Sequence, residues 1–341
     1  MPSFRIRYMK AIAAALPLPA LLMAMAHPAQ AAPANPASLS VPVRCDRACL
    51  QQLLDQALDA MAANDVSRLP LAPEARITEN GVQRNIWDGL WQTATAKGKY
   101  RLYAIDPETG QAGFVGTMLE DGRPVYLALR LGVHEQKITE IETVIARGGT
   151  GGASGASPGA RMEERGTPRP QFLRTLPEAR RAGRDKLVDI ADSYFANLQG
   201  STGRTSAPFA RTCERIENGG QTTNLPTARP GRERFDALML DWEAQQHSGF
   251  YVFVKGIRDR RYPIVDRERG LVLSFSYWDH TGAVRDLALT NGLTVPAPFR
   301  APLTFQIAEV FQIDNGWIDQ IEAVINTVPY GMKSDLWDRR D

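Results

Sequence analysis

The residues Ile138-Thr139-Glu140-Ile141-Glu142-Thr143-Val144-Ile145 return 180 positions later as Ile318-Asp319-Gln320-Ile321-Glu322-Ala323-Val324-Ile325. Both copies alternate with period two and are rich in β-branched residues, so each predicts a strand with one buried face. Solenoid units repeat every 20 to 50 residues or so, and a repeat this long is instead a duplicated domain. Further correspondences at other offsets support the duplication: Glu79-Asn80-Gly81 with Glu217-Asn218-Gly219, Asp106 and Gly110 with Asp266 and Gly270, and Gly122 with Gly282.

Within the first copy, Leu50, Leu53, Leu54, Ala57, Leu58 and Met61 fall at helical spacing and predict an amphipathic helix over 48–63. A short strand, the Asn80-Gly81 turn and a second helix over 82–93 follow, the helix pairing Ile86 with Leu90 and Trp87 with Trp91. Strands are predicted over 100–105, 112–119, 125–133 and 137–147, separated by turn-forming residues. The second copy has a helix over 185–198, a helix over 232–246 carrying Phe235, Leu238, Met239 and Trp242, and strands over 249–257, 271–279, 303–313 and 317–327. Helices followed by a curling antiparallel sheet make an α+β pattern, used twice. Residues 148–171 hold seven glycines and three prolines with almost no large apolar side chain, and read as a linker. The domain limits are therefore 45–147 and 185–330, joined by 148–184, with a Pro/Ala-rich tail at 32–44 and a C-terminal tail at 331–341. Gly155-Ala156-Ser157-Pro158-Gly159 has the form of a serine-hydrolase elbow, but that motif needs a strand before it and a helix after it, and neither is predicted.

The first 31 residues stand apart. Arg5, Arg7 and Lys10 precede an apolar stretch broken by Pro17 and Pro19, and Ala29-Gln30-Ala31 is a small-x-small cleavage site, so a secretory signal and a periplasmic or secreted protein are expected. No later segment has the apolar length of a membrane span. Cleavage would leave 37 basic against 38 acidic residues and move the formal charge from +2 to −1. Basic residues interleaved with acids, as in Arg258-Asp259-Arg260-Arg261, give no stripe for nucleic acid. In an oxidising compartment Cys45 and Cys49, four apart at a helix start, are placed to bond, with Cys213 free and buried. The alternative is that so small a loop stays reduced. No His or second Cys pair completes a metal set, and no Gly-rich nucleotide motif calls for a cofactor.

Helix, short strand, helix and a long curved sheet ending in Ile-x-x-Ile-Glu resembles the cone-shaped α+β fold of the ketosteroid-isomerase and SnoaL-like superfamily, also called nuclear-transport-factor-like. More closely, Cys45-Asp46-Arg47, Ser67-Arg68-Leu69-Pro70-Leu71, Thr78-Glu79-Asn80-Gly81, Gly89-Leu90-Trp91, Ile216-Glu217-Asn218-Gly219, Asp279-His280 and Pro329-Tyr330-Gly331-Met332 resemble a family of exported two-domain proteins in bacteria and fungi. The resemblance implies two cones, each with helices packed on a curved sheet. It brings no mechanism, because the superfamily hosts isomerases, cyclases, lyases, hydrolases and binding modules alike.

Candidate chemistry comes from individual positions. Alternation over 303–313 sets Glu309 in a stripe with Leu303, Phe305, Ile307, Phe311 and Ile313, where desolvation would raise its pKa towards a general base's range; a strand-edge Glu reaching water or an Arg is the bland alternative. Arg130 is the expected counterpart of Glu309 in the first copy, on the assumption of one extra turn residue in the second. Asp279 and His280 end a strand on opposite faces, so His280 would act with a neighbouring strand, if it is more than a turn residue. Asp241, beside Trp242, is another candidate acid. Trp91, Trp242, Tyr251 and Tyr277 could wall an apolar pocket or serve as core. Glu142 and Glu322, shared by both copies, read as scaffold. Two functions fit: a cofactor-independent lyase, isomerase or hydrolase acting on a small apolar or aromatic substrate by acid–base chemistry through Glu309 or Asp241, or a non-catalytic ligand-binding or interaction module. The expected partner is a small molecule, and a homodimer is compatible with the sequence. The second copy, with Glu309, His280, Tyr251 and Asp241, is the expected site.

Overall fold

A computed structural model describes residues 44–148, 155–199 and 207–335. The segment 1–31, where a secretory signal is expected, and most of the tail that follows it lie outside the described residues.

The first half contains α1 (Arg47–Ala63), β1 (Leu71–Glu79), β2 (Val82–Gln83), α2 (Leu90–Thr93), β3 (Ala94–Asp106), β4 (Gln111–Glu120), β5 (Arg123–His134) and β6 (Lys137–Ala146). After α3 (Pro158–Arg165) and α4 (Pro170–Leu173), the second half runs α5 (Arg184–Gln199), β7 (Phe209–Glu217), β8 (Gly220–Gln221), α6 (Trp242–His247), β9 (Gly256–Asp266), β10 (Leu271–His280), β11 (Asp286–Ala288), β12 (Thr294–Pro296), β13 (Leu303–Asp314) and β14 (Trp317–Val328). The fold is α+β. Its two six-stranded sheets have matching orders, β2-β1-β6-β5-β4-β3 and β8-β7-β14-β13-β10-β9, and only the β1–β6 and β7–β14 pairs are parallel. Glu79 pairs with Thr143 and Glu217 with Ala323, the same register in both halves. The Asn-Gly turns also match: the Asn80 and Asn218 amide oxygens each accept a backbone N–H, from Ile145 and Ile325, at 2.8 Å. Both asparagines sit at positive φ, a conformation their short polar side chains tolerate.

α1 starts with Asp46 accepting from Cys49 N at 2.9 Å and lays Leu50, Leu54, Leu58 and Met61 on one face of the first sheet. Cys45 and Cys49 are bonded, with Cα atoms 5.2 Å apart, and Cys213 is free and buried. α5 covers the second sheet in the same manner with Leu187, Ile190, Tyr194 and Phe195. The other faces of the two sheets pack on each other: Leu102, Val115, Ala128 and Val144 share a core with Leu273, Phe275, Val310 and Val324. The central strands are thus buried on both faces, which corrects the expectation of one buried face and accounts for near-continuous apolar runs such as Val125-Tyr126-Leu127-Ala128-Leu129. Near the strand ends the two halves exchange equivalent contacts. Asp106 accepts from Val265 N at 2.9 Å and Asp266 from Ile105 N at 3.0 Å, while Arg184 pairs with Asp106 and Arg47 with Asp266. This is the reciprocity of an isologous interface, built inside one chain.

Three further sequence expectations about the elements are corrected. The segment 148–184 is not a bare linker, because α3 lies against β5, and Met162, Phe172 and Leu176 are fully buried, the first two in the core between the sheets. Few apolar residues suffice when each is fully buried as an anchor. Gly159 shows how close the packing is: a Cβ there would come within 2.1 Å of the Pro124 carbonyl oxygen. Gly159→Ala should therefore lose about 1–3 kcal/mol in chemical denaturation, as overpacked cores do, and an unchanged midpoint would mean that α3 is not docked. Residues 82–93 form β2, a loop and the one-turn α2; Gly89 at positive φ starts α2 afresh and leaves Trp87 59% exposed. Residues 232–255 form α6 and short 3-10 turns rather than a long helix and the start of a strand at 249, and β9 begins only at Gly256. The predicted C-terminal tail is tied to the first half through Asp335, whose N–H donates to Gly81 O at 2.8 Å and whose carboxylate accepts from Gln83 N at 2.9 Å.

Candidate functional site

The halves differ chiefly in two insertions. In the first, β4 turns into β5 through Asp121-Gly122, and the β2–β3 connection is short. In the second, residues 281–302 separate β10 from β13 and residues 222–255 separate β8 from β9. The inserted segments hold a small core of their own, in which Leu287, Leu289 and Ala297 pack with Phe235, Phe250 and Phe253, and they roof the inner face of the second sheet. Between roof and sheet lies a cavity of about 760 Å³. Its apolar wall includes Trp278, Phe299, Phe305, Ile307 and Ile325; its polar wall includes Arg161, Arg215, Glu217, Thr222 and His280. A smaller cleft of about 220 Å³ opens beside Asp106 and Asp266, whose carboxylates are already bonded across the two halves.

His280 is placed by β10 on the inner face and is 3% exposed. Its ring lies 4.5 Å from Phe299, 5.0 Å from Phe305 and 5.8 Å from Phe253, centroid to centroid. Neither ring nitrogen has a hydrogen-bond partner. Burial, against the pull of the neighbouring Asp279 charge, lowers its pKa to about 4, so the imidazole is neutral at pH 7. Tyr251 is also on the wall; its hydroxyl donates to Gln245 Oε1 at 2.7 Å and accepts from Arg215. Arg215, on β7, is buried, bonded to Thr222 Oγ1 at 2.8 Å, paired with Glu217 at 3.1 Å, and stacked 4.9 Å from the Trp242 ring centre. Desolvation works against its charge, but the Tyr251 and Glu217 oxygens outweigh it.

Glu309 occupies the inner face as its alternation predicts, 1% exposed, but it is not on the cavity wall. Burial raises its pKa to about 8, the Glu217 charge adds to the rise, and Arg215 and Tyr194 oppose it. The Tyr194 hydroxyl is near enough to favour the carboxylate, yet neither it nor Glu309 Oε2 makes a hydrogen bond of ordinary geometry.

The remaining candidates lie elsewhere. Asp241 caps α6, accepting from Ala244 N at 2.8 Å. Asp279 faces away from His280 and accepts from Arg258 Nε at 2.8 Å and Thr304 Oγ1 at 2.6 Å; these bonds outweigh burial and hold its carboxyl below the usual range. Trp242 is inside the second core, 4.7 Å from both Tyr194 and Phe209, and Trp91 is inside the first core. Tyr277 is buried on the opposite face of β10, beneath Arg258 and against the first half, where its hydroxyl would lie 2.7 Å from a Cβ on Gly81. Arg130 is not the counterpart of Glu309. Arg130 pairs with Glu142 across β5–β6, as Val310 does with Glu322 across β13–β14, so Glu309 corresponds to Leu129. The turns joining these strands are of equal length, and the assumed extra residue shifted the match by one and reversed the face.

Arg215 and Arg161 were not singled out from the sequence. For Arg215 the alternation Cys213, Arg215, Glu217 was a usable signal; Arg161, in a segment read as linker, had none. Ser157 of the elbow-like motif caps α3, accepting from Ala160 N at 3.2 Å; a helix does follow it, but among the described residues no strand runs directly into it. Among the described residues no cluster of His, Cys, Asp and Glu is placed to hold a metal ion, and no helix is long and apolar enough to cross a membrane.

Residues 180–325 match a family described as a domain of unknown function, DUF8021. No curated protein matches the chain. Among solved structures, a de novo designed protein with curved β-sheet is similar over 29% of this chain and 87% of its own, at 12% identity and a TM-score of 0.25. A loop truncation variant of IdmH is similar over 28% of this chain and 91% of its own, at 18% identity and a TM-score of 0.24.

Proposed function

We propose that this is an exported protein built from two SnoaL-like cones, in which the second binds a small, largely apolar or aromatic molecule and the first acts as its structural partner. The observation that carries the reading is His280: a neutral imidazole, unpartnered at both nitrogens, in the wall of a cavity large enough for a drug-sized ligand. Buried polar groups are normally satisfied, and a ligand hydroxyl or carbonyl would satisfy this one. The matched sheet orders support the cones, and the Cys45–Cys49 bond supports an oxidising compartment.

The test is calorimetric titration with 2-naphthol. The wild-type protein should bind it, and His280→Phe, which keeps the aromatic packing, should weaken binding roughly tenfold while melting is little changed. Absence of binding to the wild-type protein would overturn the reading. A second reading, acid–base catalysis, is favoured by Glu309, a buried carboxyl pushed up to about 8 beside the same inner face. At pH 7 it would be mainly protonated and would act first as a proton donor. If it does so, Glu309→Gln should lower turnover at least a hundredfold against an identified substrate.

A further inference from the structure

The charges around the cavity do not balance. Four guanidiniums line it, those of Arg161, Arg215, Arg229 and Arg232, against two carboxylates, Glu217 and Asp236. Arg215 is paired with Glu217 at 3.1 Å and Arg229 with Asp236 at 2.8 Å, which leaves Arg161 and Arg232 without a carboxylate partner among the described residues. Arg161 is the better defined. It comes from α3, outside both repeats, and is fixed by backbone carbonyls alone: Nε and Nη2 donate to Asn218 O at 2.9 and 2.7 Å, and Nη1 donates to Ala156 O. A guanidinium has five N–H donors, so two remain. Three bonds have already fixed its orientation, and desolvation lowers its pKa without removing a charge so strongly basic.

Resting on the reading of this cavity as a small-molecule site, we propose that its ligand is a monoanionic acid with an aromatic or aliphatic body, and that Arg161 receives the carboxylate. The apolar side chains enclose the body, His280 meets a polar substituent, and Arg232 adds positive potential to the cavity lining. An anchored, partly desolvated guanidinium with free N–H groups suits a carboxylate, because charge-assisted bonds of this kind are about twice as strong as neutral ones. A neutral ligand could accept from those N–H groups but would leave the excess charge without a counterpart.

The test compares 2-naphthoate with 2-naphthamide, which share shape and body, by calorimetry on the full chain at pH 7. The wild-type protein should prefer the carboxylate by roughly tenfold or more. Arg161→Gln should remove most of that preference by weakening 2-naphthoate far more than 2-naphthamide. Should that variant fail to fold, Arg161→Lys, which keeps the charge but not the fork, should lower the preference about threefold. Equal binding of the two compounds by the wild-type protein, or a preference that survives both substitutions, overturns the assignment. If the amide binds and the carboxylate does not, the cavity reading stands and the acid is wrong; if neither binds, both fall.

Discussion

Arg130→Met is expected to destabilise the protein by about 3–5 kcal/mol, read as a lowered midpoint in chemical denaturation. Arg130 is 1% exposed on β5, facing the other sheet, and each of its side-chain nitrogens donates: Nε to Glu142 at 3.0 Å, Nη1 to Gln111 at 2.7 Å and Nη2 to Glu140 at 2.8 Å. Glu142 is equally buried and also accepts from Arg261 of the second half, at 2.6 Å. Burial works against its charge, but Arg261 and Arg130 together hold its carboxyl below the usual range. Methionine fills much of the arginine stem's volume, so the loss comes from leaving carboxylates under-compensated in a dry interface rather than from a void. Replacing Glu142 by leucine in the same background should recover part of the loss, because removing both members of a buried pair is less harmful than removing one. A midpoint equal to the wild type's would mean that water reaches the network and that the sheets do not close over it.

Much of this architecture was legible in the sequence because duplication makes a fold check itself. The strands around Val144 and Val324 and the two Asn-Gly turns were found by repeating, and their registers agree to the residue. Legibility failed where a feature depends on contacts distant in sequence. Periodicity alone could not distinguish a strand buried on one face from one buried on both. Residues 148–171 looked too polar to order themselves, yet Met162, with Phe172 just beyond, is buried in the core between the two sheets. The site was half legible. Glu309 was found as a polar break in an apolar strand and His280 as a strand end, and both face inward, but the cavity itself is made by the insertions at 222–255 and 281–302, whose composition gives no repeat to compare. The mismatch of Arg130 with Glu309 came from a single position, and in a strand a single position separates an interface from a core.

Glu309→Gln is expected to change how stability depends on pH. In the folded chain burial, with the Glu217 charge, pushes the carboxyl to about 8 from an ordinary 4.5. Between these values the folded state holds a proton that the unfolded state has released, so stability falls as pH rises through this window, by on the order of 3–5 kcal/mol in all. Glutamine cannot titrate and removes that slope. The variant should therefore match the wild type near pH 4 and exceed it by several kcal/mol at pH 8 to 9, measured by denaturation at each pH. Glu322 contributes in the same direction over a narrower range. Burial raises it to about 7, against the Tyr100 hydroxyl, which donates to it at 2.6 Å, and the nearby Arg165 and Arg169 charges. The difference between wild type and Glu309→Gln isolates the first group from the second. Below pH 4.5 the trend reverses, because carboxylates held below their usual range, Glu142 and Asp279 among them, lose their ion pairs on protonation. Parallel pH profiles would show Glu309 ionised and paired in the folded protein. An upward shift for the variant, together with lost ligand binding or turnover, would instead mean that a destabilising carboxyl is kept beside the cavity for what it does there.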